Sequence, residues 1–393
     1  WAGSTFLQER KCAAPQHYRE SCTLNRPRKL PAESTACLAH LTQEMLPFRV
    51  KPASGLLQRP VQSVLLTGAS GFLGVHLMAE LRKCCPEIRI KALVRTPEKL
   101  VAQLDHYGLS FKAPDEVITG TLPGISPEML PDADLVIHSA ARIHGLAPRS
   151  ALWADNVQAF AKIIERYLGS ARICLVSTLS VFVSSNHRGR HSPCPLPVSS
   201  RRLLYGGYAQ TKYAAECLAH HAGSHIVRLG LLTGSSSKGQ GPEGDFLGRF
   251  MRAMHLLGVR PPSWREAFVD LTPVDFAAHQ MAQCVLADSP DNITHIANPQ
   301  SASLSEVLSG FSLKTVSVSD FKARLAMLPR LEQMLVRYAF FKEESLLQHP
   351  DCFNLDVFQS TGHNYMTTTA PLLTNKELLS LYRKGLFETR QSN

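Results

Sequence analysis

The sequence predicts an α/β fold, a doubly wound parallel sheet followed by a smaller, mostly helical portion. Two observations carry this. From residue 61 short apolar runs alternate with stretches of helical period, the pattern of a parallel sheet covered on both faces. The first such run breaks into Thr67-Gly68-Ala69-Ser70-Gly71-Phe72-Leu73-Gly74, three glycines spaced Gly-x-x-Gly-x-x-Gly between a strand and a helix. Glycines in that setting serve a tight turn, close approach of backbone to a pyrophosphate, and close packing of helix on strand. The pyrophosphate would rest on N–H groups at the helix start, where the dipole favours an anion.

Taken in order, the candidate strands are Val61–Leu66, Ile88–Val94, Glu116–Thr119, Leu135–His138, Arg172–Ser177 and His225–Arg228. Candidate helices between them are His76–Lys83, Ser150–Leu168 and Gly207–His221. Together they define a Rossmann-type domain over residues 61–234. Beyond it the rhythm fades. Ser235–Gly244, rich in glycine and serine, reads as a loop and Phe246–Leu257 as a helix, while Asp270–Asp275 and Ile293–Asn298 read as returns to the sheet. Leu304–Arg337 is mostly helical in pattern and Asn375–Lys384 is a closing helix, so 235–393 is read as a substrate-binding portion partly woven back into the first domain. Residues 1–60 form a basic, proline-rich leader with one expected helix at Ser34–Met45 and a linker at Leu46–Pro60.

Composition narrows the function. A hydrophobic content of 44% is ordinary for a globular protein. No apolar run approaches the ~20 residues needed to span a bilayer, and no secretory signal is evident, so a cytoplasmic setting is expected. The ten cysteines contain no Cys-x-x-Cys pair, which points to reduced thiols rather than a disulfide frame or zinc site. The net charge of +10 suggests an anionic partner. Without an aromatic-interleaved basic stripe it does not point to nucleic acid.

Three features point to chemistry. The residue after the second candidate strand is Arg95, where an NAD site places an acid. A guanidinium there suits a 2′-phosphate, so NADPH is the expected cofactor. Tyr208 and Lys212 stand four apart in a helical stretch and share a face; an ammonium near a phenol favours phenolate, which would let the tyrosine act as an acid near neutral pH. Tyr205 and Tyr213 are nearby decoys. Finally, Val176-Ser177-Thr178-Leu179-Ser180 ends a candidate strand, and a hydroxyl there points into the ligand crevice of an open sheet.

With glycines, hydroxyl, tyrosine and lysine in this order, the chain resembles the extended short-chain dehydrogenase/reductases. Within them it resembles the thioester reductase domains that terminate peptide and polyketide synthetases and carboxylic acid reductases, with fatty acyl-CoA reductases as more distant relatives. The likeness covers about residues 60–300, including Ser150-Ala151-Leu152-Trp153-Ala154-Asp155-Asn156-Val157, Gly207-Tyr208-Ala209-Gln210-Thr211-Lys212 and Asp270-Leu271-Thr272-Pro273-Val274-Asp275. The resemblance implies catalytic roles for Thr178 (hydroxyl), Tyr208 (acid), Lys212 (holder of the nicotinamide ribose) and Asn156. It implies cofactor contacts at Thr67, Gly68, Ser70, Gly71, Phe72, Leu73, Gly74, Arg95 and Ser139, with Tyr208 and Lys212 shared. Arg228 and Gly230 match the strand leading to the substrate pocket. The implied reaction is NADPH-dependent reduction of an acyl thioester, carried on the phosphopantetheine of a carrier protein or coenzyme A, to the aldehyde or onward to the alcohol. Departures from the family pattern are Thr121 in place of an aspartate, Ala159-Phe160 or its neighbour in place of Gly-Thr, and Ser235-Ser236 in place of Asp-Ser.

Other readings are set beside this one. A sugar-nucleotide epimerase or dehydratase on the same scaffold would need an acid where Arg95 stands. A non-catalytic NADP-binding scaffold or sensor would lack the Tyr208/Lys212 pair. A carbonyl or hydroxysteroid reductase acting on free substrates is compatible with the same residues. No metal site is expected: His220, His221 and His225 have no Glu or Cys set with them. The loop His187–His191 reads as a solvated basic loop. Met327, Leu331, Met334 and Leu335 read as core packing, with a lid over an acyl chain as the alternative.

Overall fold

The computed structural model describes residues 60–144, 147–183, 190–191, 206–242, 244–264, 266–287, 292–341, 364–365, 367 and 369–387. The leader with its expected helix, most of the loop 187–191, and Tyr205 lie outside the described residues.

Seven strands form one sheet: β1 (Ser63–Thr67), β2 (Arg89–Val94), β3 (Glu116–Thr119), β4 (Leu135–His138), β5 (Arg172–Thr178), β6 (His225–Leu229) and β7 (Ile293–Ile296). All neighbours are parallel and the order is β3-β2-β1-β4-β5-β6-β7. The chain leaves β1 for β2 and β3 on one side, then takes up β4 on the other. The order therefore reverses between β1 and β4, and ligands of open sheets bind outside the carboxyl ends at such a point. Register brings those ends level: Thr67 lies opposite Leu93 and His138, and Thr178 opposite Leu229.

Around the sheet pack α1 (Phe72–Cys84), α2 (Pro97–His106), α3 (Arg149–Trp153), α4 (Ala159–Tyr167), α5 (Gly207–His221), α6 (Phe246–Leu257), α7 (Val274–Leu286), α8 (Val318–Leu325), α9 (Arg330–Phe341) and α10 (Asn375–Phe387), with short turns at Ser180–Val183 and Leu304–Leu308. Both faces are covered, which is why the central strands read as unbroken apolar runs: Val64, Leu65 and Leu66 are fully buried. One face packs Val75, Met78 and Leu81 of α1 with Ala277, Ala278 and Met281 of α7. The other packs Phe160, Ile163 and Ile164 of α4 with Ala214, Ala215 and Leu218 of α5. A further core joins Phe250, Met251 and Met254 of α6, Phe321 of α8, Phe340 of α9 and Leu378, Leu379 and Tyr382 of α10.

Two helices differ from the sequence expectation. α2 buries only Leu100 and Leu104, too sparse a stripe to stand out as periodic. α7 replaces part of the expected return at Asp270–Asp275. Only Thr272–Pro273 is extended there, pairing with Leu232–Thr233 in a separate ladder. Pro273, which has no N–H to give a sheet, then leads directly into α7. The return at 293–298 does join the sheet, as β7 beside β6. The helical stretch 304–337 is broken by Lys314–Thr315, which pairs with Val259–Arg260. Of the apolar row in α9 and the turn before it, Met334 and Leu335 are core while Met327 is 86% exposed.

Candidate active site

The glycine turn is built as its spacing demands. Gly68 adopts φ +72°, and a Cβ there would stand 2.7 Å from Ala140 N, so the turn lies hard against the chain leaving β4. Gly74 has no room either, because a Cβ would meet Gly68 O at 2.3 Å; this seats α1 on the turn. Gly71 caps α1 without any side-chain bond, and no acid occupies the first turn. The opening N–H groups of α1 are thereby left to face an anion.

This turn forms one wall of a cavity of about 950 Å³. Thr67, Gly68, Ser70, Gly71, Phe72, Leu73, Gly74, Arg95, Ser139, Thr178, Tyr208 and Lys212, expected from the sequence, all line it. Arg95 enters from the end of β2, and Gly120-Thr121-Leu122 from the end of β3. Lys99, in the first turn of α2, adds a second cation that the sequence reading passed over. The signal was available: Arg95 and Lys99 flank the Pro97 that starts the helix.

Thr178 ends β5, and its Oγ1 lies 2.8 Å from Ser180 Oγ while accepting from Ser180 N at 3.1 Å. Tyr208 stands in the first turn of α5. Its position is fixed by Gly207, where a Cβ would come within 2.5 Å of Ala147 O and Arg149 N. One turn on, Lys212 is 3% exposed and its Nζ donates to Val176 O at 2.7 Å. Burial lowers its pKa from 10.5 to about 8, with Glu216 opposing. Burial likewise pushes the Tyr208 phenol well above its ordinary value. Desolvation thus acts against the pull toward phenolate expected of Lys212.

Asn156 does not line the cavity. It sits on a π-turn, Ala154–Gln158, that joins α3 to α4. Its Oδ1 accepts from Arg142 N at 2.7 Å and its Nδ2 donates to Arg142 O at 3.1 Å and Thr211 Oγ1 at 3.0 Å. Those bonds tie the strand-end loop of β4 to the helix that carries Tyr208. Asn156, expected to be catalytic, is thus buried behind the wall and bonded to both segments. π-turns often mark such functional points.

Arg228 also lies beneath the cavity, fully buried. It donates to Glu216 through Nε at 3.0 Å and Nη2 at 2.7 Å, and Glu216 accepts from Ser177 Oγ at 2.5 Å. A buried guanidinium requires such a counter-ion, and the pair anchors α5 to β5 and β6. Glu216 escaped the sequence reading, although it lies four residues past Lys212 on the same face. Beside Thr67, His138 offers Nδ1 at 2.9 Å, while its Nε2 is buried without a hydrogen-bond partner among the described residues. Burial, reinforced by the Lys212 charge, lowers this imidazole to about 3, so it is neutral.

The remaining wall lies where the sequence led us to expect the substrate. Gly230 leaves room for Asp270, whose Oδ2 a Cβ would meet at 1.9 Å. That carboxyl accepts from Leu231 N at 2.7 Å and Thr272 Oγ1 at 3.0 Å, and burial raises it to about 7. Ser236, next to the Ser235 departure from the family pattern, gives its N–H and hydroxyl to Asp275 at 2.9 and 2.6 Å. Phe246, Leu331 and Leu232 make this end apolar.

The family model described as male sterility protein matches residues 66–111 and 124–281, just over half of the chain. The large subunit of L-2-aminoadipate reductase from Eremothecium gossypii is 30% identical over 283 residues, covering 62% of this chain and 20% of that protein. L-2-aminoadipate reductase from Saccharomyces cerevisiae is 29% identical over 274 residues, covering 60% and 20%. The chain thus spans about a fifth of the length of these curated relatives. Among solved structures, the terminal R domain of the myxalamid PKS-NRPS biosynthetic pathway shares the fold with a TM-score of 0.71 at 22% identity, covering 91% of this chain and 98% of that one.

Proposed function

The chain belongs to the male sterility protein family of NAD-binding oxidoreductases, and from that premise we propose that it reduces acyl thioesters to aldehydes with NADPH. The observation that carries the reading is convergence: Thr178, Tyr208 and Lys212 line the same cavity as the glycine turn and Arg95. The residues suit a dinucleotide. The uncapped start of α1 would hold the pyrophosphate, Arg95 and Lys99 a 2′-phosphate, and Lys212 the nicotinamide ribose. No carboxylate takes the place of Arg95 to favour a free 2′-hydroxyl.

A nicotinamide dinucleotide bound there would supply hydride to the carbonyl carbon. Thr178 Oγ1 and the Tyr208 hydroxyl donate to the carbonyl oxygen as it gains negative charge. Tyr208, kept protonated by burial, gives that oxygen its proton. The hemithioacetal so formed expels the thiol, breaking the carbon–sulfur bond and leaving the aldehyde. Lys212 keeps cofactor and tyrosine in one geometry, and Asn156 holds the loop and helix on either side. The thioester is taken to ride on phosphopantetheine, whose anionic carriers suit a chain of net charge +10.

The test is NADPH oxidation by the purified protein with acyl thioesters and free aldehydes. Thioester-dependent oxidation is expected, falling ~10²–10³-fold in Tyr208→Phe and in Thr178→Ala with the fold intact. Near-normal thioester reduction by Tyr208→Phe would remove the tyrosine from the mechanism.

A further inference from the structure

The hydroxyl that ends β5 does not stand alone. Thr178 Oγ1 accepts from Ser180 N at 3.1 Å and lies 2.8 Å from Ser180 Oγ. Neither side chain has another hydrogen-bond partner among the described residues, and both residues line the cavity. The pair is fixed from behind. Leu179 N donates to Leu229 O at 2.8 Å, which holds the chain between the two hydroxyls on β6. Leu179, Val181 and Phe182 are buried in one cluster with Ala209 and Tyr213 of α5, the helix that carries Tyr208. The hydroxyl pair and the phenol thus share one small core.

We propose that Ser180 is a positioning residue that aims the Thr178 proton at the substrate carbonyl. The inference rests on the thioester-reductase reading, in which Thr178 donates to that oxygen. A hydroxyl has one proton to give and two lone pairs to receive. One Thr178 lone pair is taken by the Ser180 N–H, a short-range bond of the kind that serine and threonine make at turns. The Ser180 hydroxyl fills the other. Its proton has no other acceptor among the described residues, whereas a Thr178 proton given to Ser180 would be lost to the carbonyl. With both lone pairs engaged, the Thr178 O–H keeps one tetrahedral direction, away from both donors on Ser180. Donation into Oγ1 also polarises the outgoing O–H bond. Two linked hydroxyls therefore stabilise a developing oxyanion better than one.

The test is a double-mutant cycle read in kcat for thioester reduction. Ser180→Ala is expected to lower kcat about tenfold, the worth of one well-placed hydrogen bond, with KM held within about twofold. Ser180→Thr, which keeps the hydroxyl, restores most of the loss. Thr178→Ala costs ~10²–10³. Adding Ser180→Ala to it is expected to change kcat by no more than about twofold, because Ser180 acts only through Thr178. A merely structural serine would lower kcat by the same factor in both backgrounds, and such additivity would overturn the proposal. So would an unchanged kcat in Ser180→Ala, or a loss as large as that of Thr178→Ala, which would make Ser180 itself the donor to the carbonyl. The same four proteins are measured for the Kd of the amide analogue of the thioester, with NH in place of sulfur, which needs no turnover. If that amide binds with the non-additive pattern while no thioester is reduced, the reductase reading fails and the role of Ser180 stands. Thioester reduction with additive losses removes the role and leaves the reductase reading standing. A protein that neither reduces the thioester nor binds the amide overturns both.

Discussion

At the scale of the residue, charge and burial decide most. Arg95 and Lys99 face the cavity at the end of β2 with no competing acid there, so NADPH is expected to bind more tightly than NADH. Arg95→Ala should erase much of that gap. Equal dissociation constants for the two cofactors in the starting protein would contradict it. Lys212 gives a pH prediction. Its pKa is lowered from 10.5 to about 8 in the fold, so between those values the unfolded chain binds a proton that the folded chain has lost. Its contribution to stability therefore rises with pH across that window and is constant below it. Cofactor affinity runs the other way. If the ammonium is what holds the ribose, binding weakens as pH rises through about 8, by up to about tenfold per unit. A titration flat from pH 6 to 10 would refute the role. The residues legible in the sequence were those whose spacing is itself the chemistry, the glycines and the Tyr208/Lys212 pair. Glu216 and Asp270 do their work through partners distant in sequence, Arg228 and Leu231, and no local pattern announces such partners.

At the scale of the element, α5 is seated by what Gly207 lacks. A Cβ there has nowhere to go but the backbone at Ala147–Arg149, so Gly207→Ala should move the first turn and Tyr208 with it. Displacements near 1 Å can cost ~10² in rate. We expect turnover to fall at least tenfold while the circular-dichroism spectrum stays native; unchanged turnover would show that the helix start is free to shift. Strands were readable because the buried sheet turns them into continuous apolar runs, as in β1 and β4. The π-turn at Asn156 was not, since it interrupts the hydrogen-bond ladder of an apolar-periodic helix without changing its composition. α7 was hidden behind Pro273, whose extended neighbours look like a strand until the alanines that pack it on α1 are seen.

At the scale of the whole molecule, the described elements all begin after residue 60. Deleting residues 1–50 is expected to leave cofactor binding and the melting transition nearly intact. A large loss of either would mean that the leader packs on the sheet. The strand–helix alternation made six of the seven sheet strands legible within 61–234, while β7, at Ile293–Ile296, was read only as part of a return to the sheet. The further core was not legible, because it draws on stretches far apart in the chain, α6, α8, α9 and α10, whose apolar faces make sense only against one another.

That interleaving has a historical side. On the proposed reading, the turn that would grip the cofactor and the hydroxyl, phenol and ammonium that would act on the carbonyl sit on the sheet and its flanking helices. The core built by α6, α8, α9 and α10 supplies Phe246 and Leu331 to the substrate end and holds no part of that set. Substitutions accumulating in those four helices can reshape what fits without disturbing how it is reduced. Descent within such a lineage would leave the glycine turn recognisable long after the acyl specificities of its members had parted.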